Sequence, residues 1–229
     1  MFLKDVFFPK VCLGCGALGS FLCLNCQKKL KPMKKHTCFY CKKESPFGIT
    51  HPFCLKKLSI DGVISIFYYN PLMKKIIKNI KYRLVKEGLD DLCKAIYPFL
   101  IDSLGFYKKL FSQAVIQPIP LYKKRFNKRG FNQAKIFSEF LVKIFNLTVV
   151  DCLVRKKDTP FLAQLKTKKE RFLKIRGAFS LVYKKEEIKD KKIILVDDVI
   201  TSGATVKEAA RVLKTAGAKT IFVFTLAKG

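Results

Sequence analysis

The chain has 229 residues, 49% hydrophobic and 28% charged, enough apolar material for a real core, which excludes wholesale disorder. Lys+Arg 46 against Asp+Glu 17 leave a net charge of +29, a field that attracts nucleic acid, an anionic membrane face or phosphorylated small molecules. No apolar run approaches the roughly 18 residues of a membrane span, and Lys4, Asp5 and Lys10 interrupt the start where a secretory leader would be apolar, so a cytoplasmic protein is expected.

Residues 1–58 read as a small, cysteine-dense domain. Of nine cysteines, seven precede residue 55, six of them as Cys12/Cys15, Cys23/Cys26 and Cys38/Cys41, and His51-x-x-Cys54 continues the rhythm. Cys93 and Cys152 stand alone. In a reducing compartment, such pairs indicate metal rather than disulfides. Zn²⁺ takes four thiolate or imidazole ligands, and one Cys-x-x-Cys turn supplies two. The simplest partition is sequential, with Cys12, Cys15, Cys23 and Cys26 about one ion and Cys38, Cys41, His51 and Cys54 about another. The short spacers also permit an interleaved partition, and His36 could replace His51. A redox role, or merely buried thiols, is the plainer reading that the repetition argues against. Metal is expected to supply most of the stability of so small a domain. Lys28, Lys29, Lys31, Lys34, Lys35, Lys42, Lys43, Lys56 and Lys57 interleave with Phe39, Tyr40, Phe47 and Phe53. They could follow a phosphate backbone and stack bases; alternatively the aromatics pack the domain and the lysines are solvated.

Residues 59–229 read as a second domain. Gly62–Tyr69 is a β-branched and aromatic strand, a helix is expected from Leu72 and another from about Leu89 to Leu104. Ala114–Pro120 is a short buried strand, and Phe131–Asn146 places Phe137, Phe140, Leu141, Ile144 and Phe145 at helical spacing. Lys191–Val199 is a strand ending in two acids, Ala204–Ala216 a helix stopped at Gly217, and Thr220–Ala227 the last strand. Strands alternating with helices predict an α/β fold with a mainly parallel sheet.

The sharpest chemical signal is Ile193 to Thr205: an apolar strand, the carboxylates Asp197 and Asp198, then Thr201-Ser202-Gly203-Ala204-Thr205 opening a helix. Ligands of parallel sheets collect at such strand ends. The turn offers N–H groups and hydroxyls at a helix N-terminus, an anion cradle, and the acids suit a cis-diol and hydrated Mg²⁺. An ordinary strand-turn-helix with a Ser/Thr cap is the bland alternative. Candidate cations for such a site stand at Ile80-Lys81-Tyr82-Arg83 and where Pro118-Ile119-Pro120-Leu121 leads to Arg125 and Arg129; Asn132 and Gln133 could equally cap the following helix.

The run from Ile193 to Thr205 resembles the signature of type I phosphoribosyltransferases, which bind phosphoribosyl pyrophosphate (PRPP). That resemblance implies that Asp197 and Asp198 face the ribose hydroxyls as the catalytic acids, that Thr201, Ser202, Gly203, Ala204 and Thr205 wrap the 5′-phosphate, and that Lys81, Arg125 and Arg129 complete the PRPP site. Over nearly the whole chain, the paired cysteines, Lys81-Tyr82, Arg129-Gly130-Phe131-Asn132-Gln133-Ala134, Glu170-Arg171 and Arg176-Gly177-Ala178-Phe179 resemble the ComF (ComFC) family, associated with natural competence. It implies a double zinc ribbon ahead of a phosphoribosyltransferase-like sheet. Three departures stand out: His51 where the family has cysteine, Thr159-Pro160-Phe161-Leu162-Ala163-Gln164 stretching its Thr-Pro-x-Gln segment, and Lys174 at a position often held by asparagine. The expected function is a cytoplasmic competence protein that binds Mg-PRPP and single-stranded DNA, works beside other DNA-processing proteins, and transfers phosphoribose with pyrophosphate release. The alternatives are a DNA-handling factor whose PRPP site is a sensor, and a salvage phosphoribosyltransferase acting on a nucleobase.

Overall fold

The computed structural model describes residues 9–83, 86–159, 167–182 and 188–229, and the side chains of all of these but Arg83 and Lys168. The Pro160–Gln164 segment and the Arg83 side chain, singled out above, lie outside the described residues. Among its described residues the head carries little regular structure: one helix, α1 (Leu24–Lys28), and single 3₁₀ turns at Pro46–Gly48 and Pro52–Cys54.

In the body, β1 (Gly62–Tyr68) leads into α2 (Pro71–Arg83), where proline at the first position needs no N–H partner. Helix α3 (Lys86–Leu110) runs longer than expected at both ends and through Pro98; it buries Leu89, Leu92, Cys93, Ile96, Leu100 and Tyr107 along one stripe. Then come β2 (Ala114–Pro118), α4 (Lys123–Arg129) and α5 (Gln133–Phe145). Short β3 (Thr148–Val149) and β4 (Leu153–Arg155) precede α6 (Lys168–Ile175), which a Thr167/Glu170 capping box opens. The chain ends β5 (Phe179–Leu181), β6 (Lys192–Ile200), α7 (Ala204–Thr215) and β7 (Thr220–Lys228). Neither α4 nor the short strands β3, β4 and β5 were legible as elements, because pieces of two to seven residues carry too little periodicity to register.

The central sheet has the order β1-β7-β6-β2-β3 and every pairing in it is parallel, while β4 and β5 form a separate antiparallel pair. Alternation along the strands makes two apolar layers. Ile64, Ile116, Ile194, Val196, Phe222 and Phe224 face α2, α3 and α5; Val63, Val115, Ile193, Leu195, Ile221 and Val223 face α7.

The head draws on this core as well as on any metal. Leu13, Leu22 and Leu30 are buried in one cluster with Met73, Ile76 and Ile80 of α2. Asn79 Nδ2 donates to the Leu13 carbonyl at 2.7 Å, and Met33 N–H donates to the Ile66 carbonyl at 2.8 Å. Gly48, at φ 74, lies so close to the Val63 carbonyl that a Cβ there would overlap it. No described helix is long and apolar enough to cross a membrane.

Candidate functional site

Strand β6 passes through Asp197 and Asp198 before ending at Ile200, and the Thr201-Ser202-Gly203 turn starts α7. Gly203 sits at φ 76, a conformation that favours glycine, and a Cβ on it would run into the Phe39 ring of the head. Beside this turn opens a cavity of about 420 Å³. Lys81, Arg125, Arg129, Asp197, Asp198, Thr201, Ser202, Gly203, Ala204 and Thr205 all line it, so residues spread over 125 positions meet in one place.

The two acids differ. Asp198 pairs with Lys81 Nζ across the cavity, and its Oδ1 accepts the Val199 N–H at 3.0 Å. Asp197 Oδ1 accepts the Asp198 N–H at 2.9 Å. Burial first, and then the Asp198 charge, push the Asp197 carboxyl up to about 8, against the opposing pull of Lys81. Unfolded, this carboxyl ionises near 3.8, so between about pH 4 and 8 the folded chain binds more protons and its stability falls as pH rises. Asp197→Asn removes that loss. The variant is expected to melt with wild type below pH 4 and above it by a margin that widens as pH rises toward 8. Melting curves across that range check this; a constant difference would contradict the shifted acid.

The cations are held in different ways. Arg129 Nη1 donates to Gln133 Oε1 at 3.2 Å, and burial lowers the guanidinium pKa while the Asp198 charge supports it. Arg125 Nε lies 3.5 Å from Asp158 Oδ1, and its Nη2 donates to the Thr159 carbonyl, so this arginine braces the 158–159 segment as it lines the cavity. Arg155 was missed in the sequence. It ends β4, donates to Thr159 Oγ1, and is drawn down to about 10, chiefly by burial and then by Arg125. Its Nε, and Nε2 of buried Gln133, are cavity-lining donors that find no acceptor among the described residues. No spacing rule or motif in the sequence marks Arg155. Asn132 is the cap of α5: Oδ1 accepts the Ala134 N–H at 3.1 Å and Nδ2 donates to the Ile119 carbonyl at 3.0 Å.

In the head, Cys12, Cys15, Cys23 and Cys26 form one set of four donors, and Cys38, Cys41, His51 and Cys54 another, the ligand atoms of each set lying within 4.8 Å of one another. His51 Nε2 faces the Glu44 carbonyl at 3.1 Å; a carbonyl only accepts, so the proton is on Nε2 and the bare Nδ1 points at Cys41 Sγ, 3.3 Å away. Burial opposes ionisation of Cys12 and Cys38, yet neighbouring backbone N–H groups bring both thiols down to about 6. Both sets could hold zinc; His36 belongs to neither. Three of the four aromatics considered for base stacking are committed to packing. Phe39 is buried, Phe47 stacks on Phe106 at 3.7 Å, and Tyr40 Oη accepts the Ile60 N–H at 2.9 Å. Phe53 alone of the four stands out, 82% exposed.

Residues 132–229 match the phosphoribosyl transferase domain, a stretch that contains both acids and the turn. The chain is 29% identical to competence protein F of Haemophilus influenzae over 90% of each chain. It is 28% identical to competence protein ComFC of Bacillus subtilis over 90% of this chain and 83% of that one. ComFC of Streptococcus pneumoniae is 29% identical over 92% and 82%. With its paired cysteine clusters, its parallel sheet and these relatives, the chain is similar to the ComF (ComFC) competence proteins over most of its length, with a phosphoribosyl transferase domain match behind two four-donor sets that could hold zinc.

Proposed function

We propose that this competence-related protein binds PRPP with Mg²⁺ in the β6–α7 cavity, binds single-stranded DNA through its basic surface, and transfers phosphoribose with release of pyrophosphate. One observation carries the reading: a single cavity combines two carboxylates, a glycine-containing turn at a helix N-terminus and six lysine and arginine side chains. Asp197 and Asp198 would accept the ribose hydroxyls, and the N–H groups and hydroxyls of residues 201–205 would take the 5′-phosphate. Lys81, Arg125, Arg129 and Arg155 surround the place left for pyrophosphate, and the unpaired donors of Gln133 and Arg155 suit its oxygens. Departure of pyrophosphate leaves an oxocarbenium-like sugar, so the task of these residues is to neutralise the leaving group and keep out water. Mg²⁺ would add charge neutralisation of the diphosphate.

The DNA reading rests on the net charge of +29, the lysines of the head and exposed Phe53, together with the competence relatives. Residues 1–58 would then serve as a zinc-holding, DNA-contacting domain and residues 59–229 as the PRPP domain of a cytoplasmic protein. The test is incubation with Mg²⁺ and PRPP, with and without single-stranded DNA, following pyrophosphate. DNA-stimulated release is the expected result. PRPP binding without release under any acceptor would make the site a sensor. DNA affinity is expected to fall steeply with salt, and an affinity indifferent to salt would remove the DNA reading.

A further inference from the structure

The turn that opens α7 is pressed by a residue of the head. Phe39 lies between Cys38 and Cys41, two donors of the second four-donor set, and its buried ring abuts Gly203 so closely that no Cβ would fit between them. The same ring lies 5.3 Å from Lys207 Nζ, one helical turn further on, whose backbone N–H donates to the Gly203 carbonyl at 2.9 Å. Lys207 Nζ also lies 5.2 Å from Tyr40 and 4.9 Å from Phe172, so the first turn of α7 is clasped by aromatic rings.

The ring is in turn fixed by its own tight turn. Cys38 N–H donates to the Lys43 carbonyl at 2.9 Å, Lys42 N–H donates to the Cys38 carbonyl at 3.1 Å, and Lys42 Nζ reaches the Phe39 carbonyl at 2.5 Å. At the Thr201–Gly203 turn, by contrast, the side-chain bond is a long one, Ser202 Oγ accepting the Ala204 N–H at 3.4 Å. What presses on the turn from outside is an aromatic wedge whose preceding residue, Cys38, belongs to the second four-donor set, with Cys41 two residues beyond it.

We infer that Phe39 is a positioning residue coupling the second metal set to the phosphate turn: with Cys38, Cys41, His51 and Cys54 engaged the wedge holds the turn in its ligand-binding shape, and disengaging them loosens it. The affinity part of this inference rests on the PRPP reading; the loosening does not. The experiment compares Phe39→Ala, Cys54→Ser, the double variant and Phe39→Leu in the full chain, by hydrogen exchange without ligand and by calorimetry with Mg-PRPP. Amides 201–205 are expected to exchange about tenfold faster in Phe39→Ala and in Cys54→Ser, with those of α5 unchanged. PRPP affinity should drop about tenfold in each single variant, no further in the double variant, and recover to within about threefold in Phe39→Leu. Wild-type exchange at 201–205 in Phe39→Ala, or effects that simply add in the double variant, would overturn the coupling. If wild type bound no PRPP, the PRPP reading would fail while the exchange comparison still decided the wedge. Should Phe39→Ala not fold, Phe39→Leu set against Cys54→Ser decides by the same exchange rates.

Discussion

Replacing Asp197 and Asp198 together with asparagine is expected to weaken Mg-PRPP binding at least about 100-fold and to abolish pyrophosphate release. A hydrogen bond to a charged group is worth about 1.5–3 kcal/mol and one to a neutral group about 0.5–1.5, so losing Asp198 as a charged acceptor and Asp197, held up at about 8, as a largely protonated one costs about 3 kcal/mol, on the order of two decades in affinity. Asparagine keeps the shape and can still accept the Asp198-position and Val199 N–H groups that the carboxylates now accept at 2.9 and 3.0 Å, so the strand should survive. The lost pairing with Lys81 is only partly buried, with 25% of the lysine side chain and 12% of the aspartate side chain exposed, which moderates the structural cost. Calorimetry with magnesium present checks the prediction, alongside a melting curve to show an intact fold. Unchanged affinity would remove the diol from these two acids.

Cys26→Ser is expected to lose one zinc equivalent and lower the melting temperature by on the order of 10 °C or more. Structural zinc in small domains contributes roughly 10–16 kcal/mol, which is folding energy because the unfolded chain has no preformed site. Here part of that is offset, since Leu13, Leu22 and Leu30 are buried against α2 and remain apolar without metal. A residual loss of about 4 kcal/mol in a chain of this length corresponds to roughly 8–16 °C. Cys26 is itself buried, and its Sγ and Cβ pack under Gly14, so the knuckle and the core loosen together. Cys93→Ala is the control: that thiol is buried on α3, outside both four-donor sets, and should cost much less and no zinc. Metal analysis and thermal melts decide. Full zinc content in Cys26→Ser would exclude that cysteine as a ligand.

Much of the molecule was legible residue by residue. The strand-turn-helix from Ile193 to Thr205 could be read because a buried strand, two acids and a hydroxyl-rich turn each leave a local mark. The cysteine pairs could be read for the same reason, and the sequential grouping follows from chain proximity. The roles of the aromatics in the head could not. Phe39, Tyr40, Phe47 and Phe53 look alike in sequence, but the body buries Phe39 against Gly203 and stacks Phe47 on Phe106, while Phe53 stays in solvent. Arg155 illustrates the same limit from the other side. It lies on a three-residue strand with no motif, and it enters the cavity because β4 pairs with β5.

Sequence by itself determined the chemistry available: which groups can carry a proton, bind a metal or cradle an anion, since those properties belong to side chains and their immediate neighbours. Tertiary structure alone decided company. It placed Lys81 against Asp198 across 117 positions, seated a head residue against the Thr201–Gly203 turn, and spent some aromatics on packing that another fold would have left exposed. Burial and long-range contact are properties of the whole chain's packing, which no local window contains.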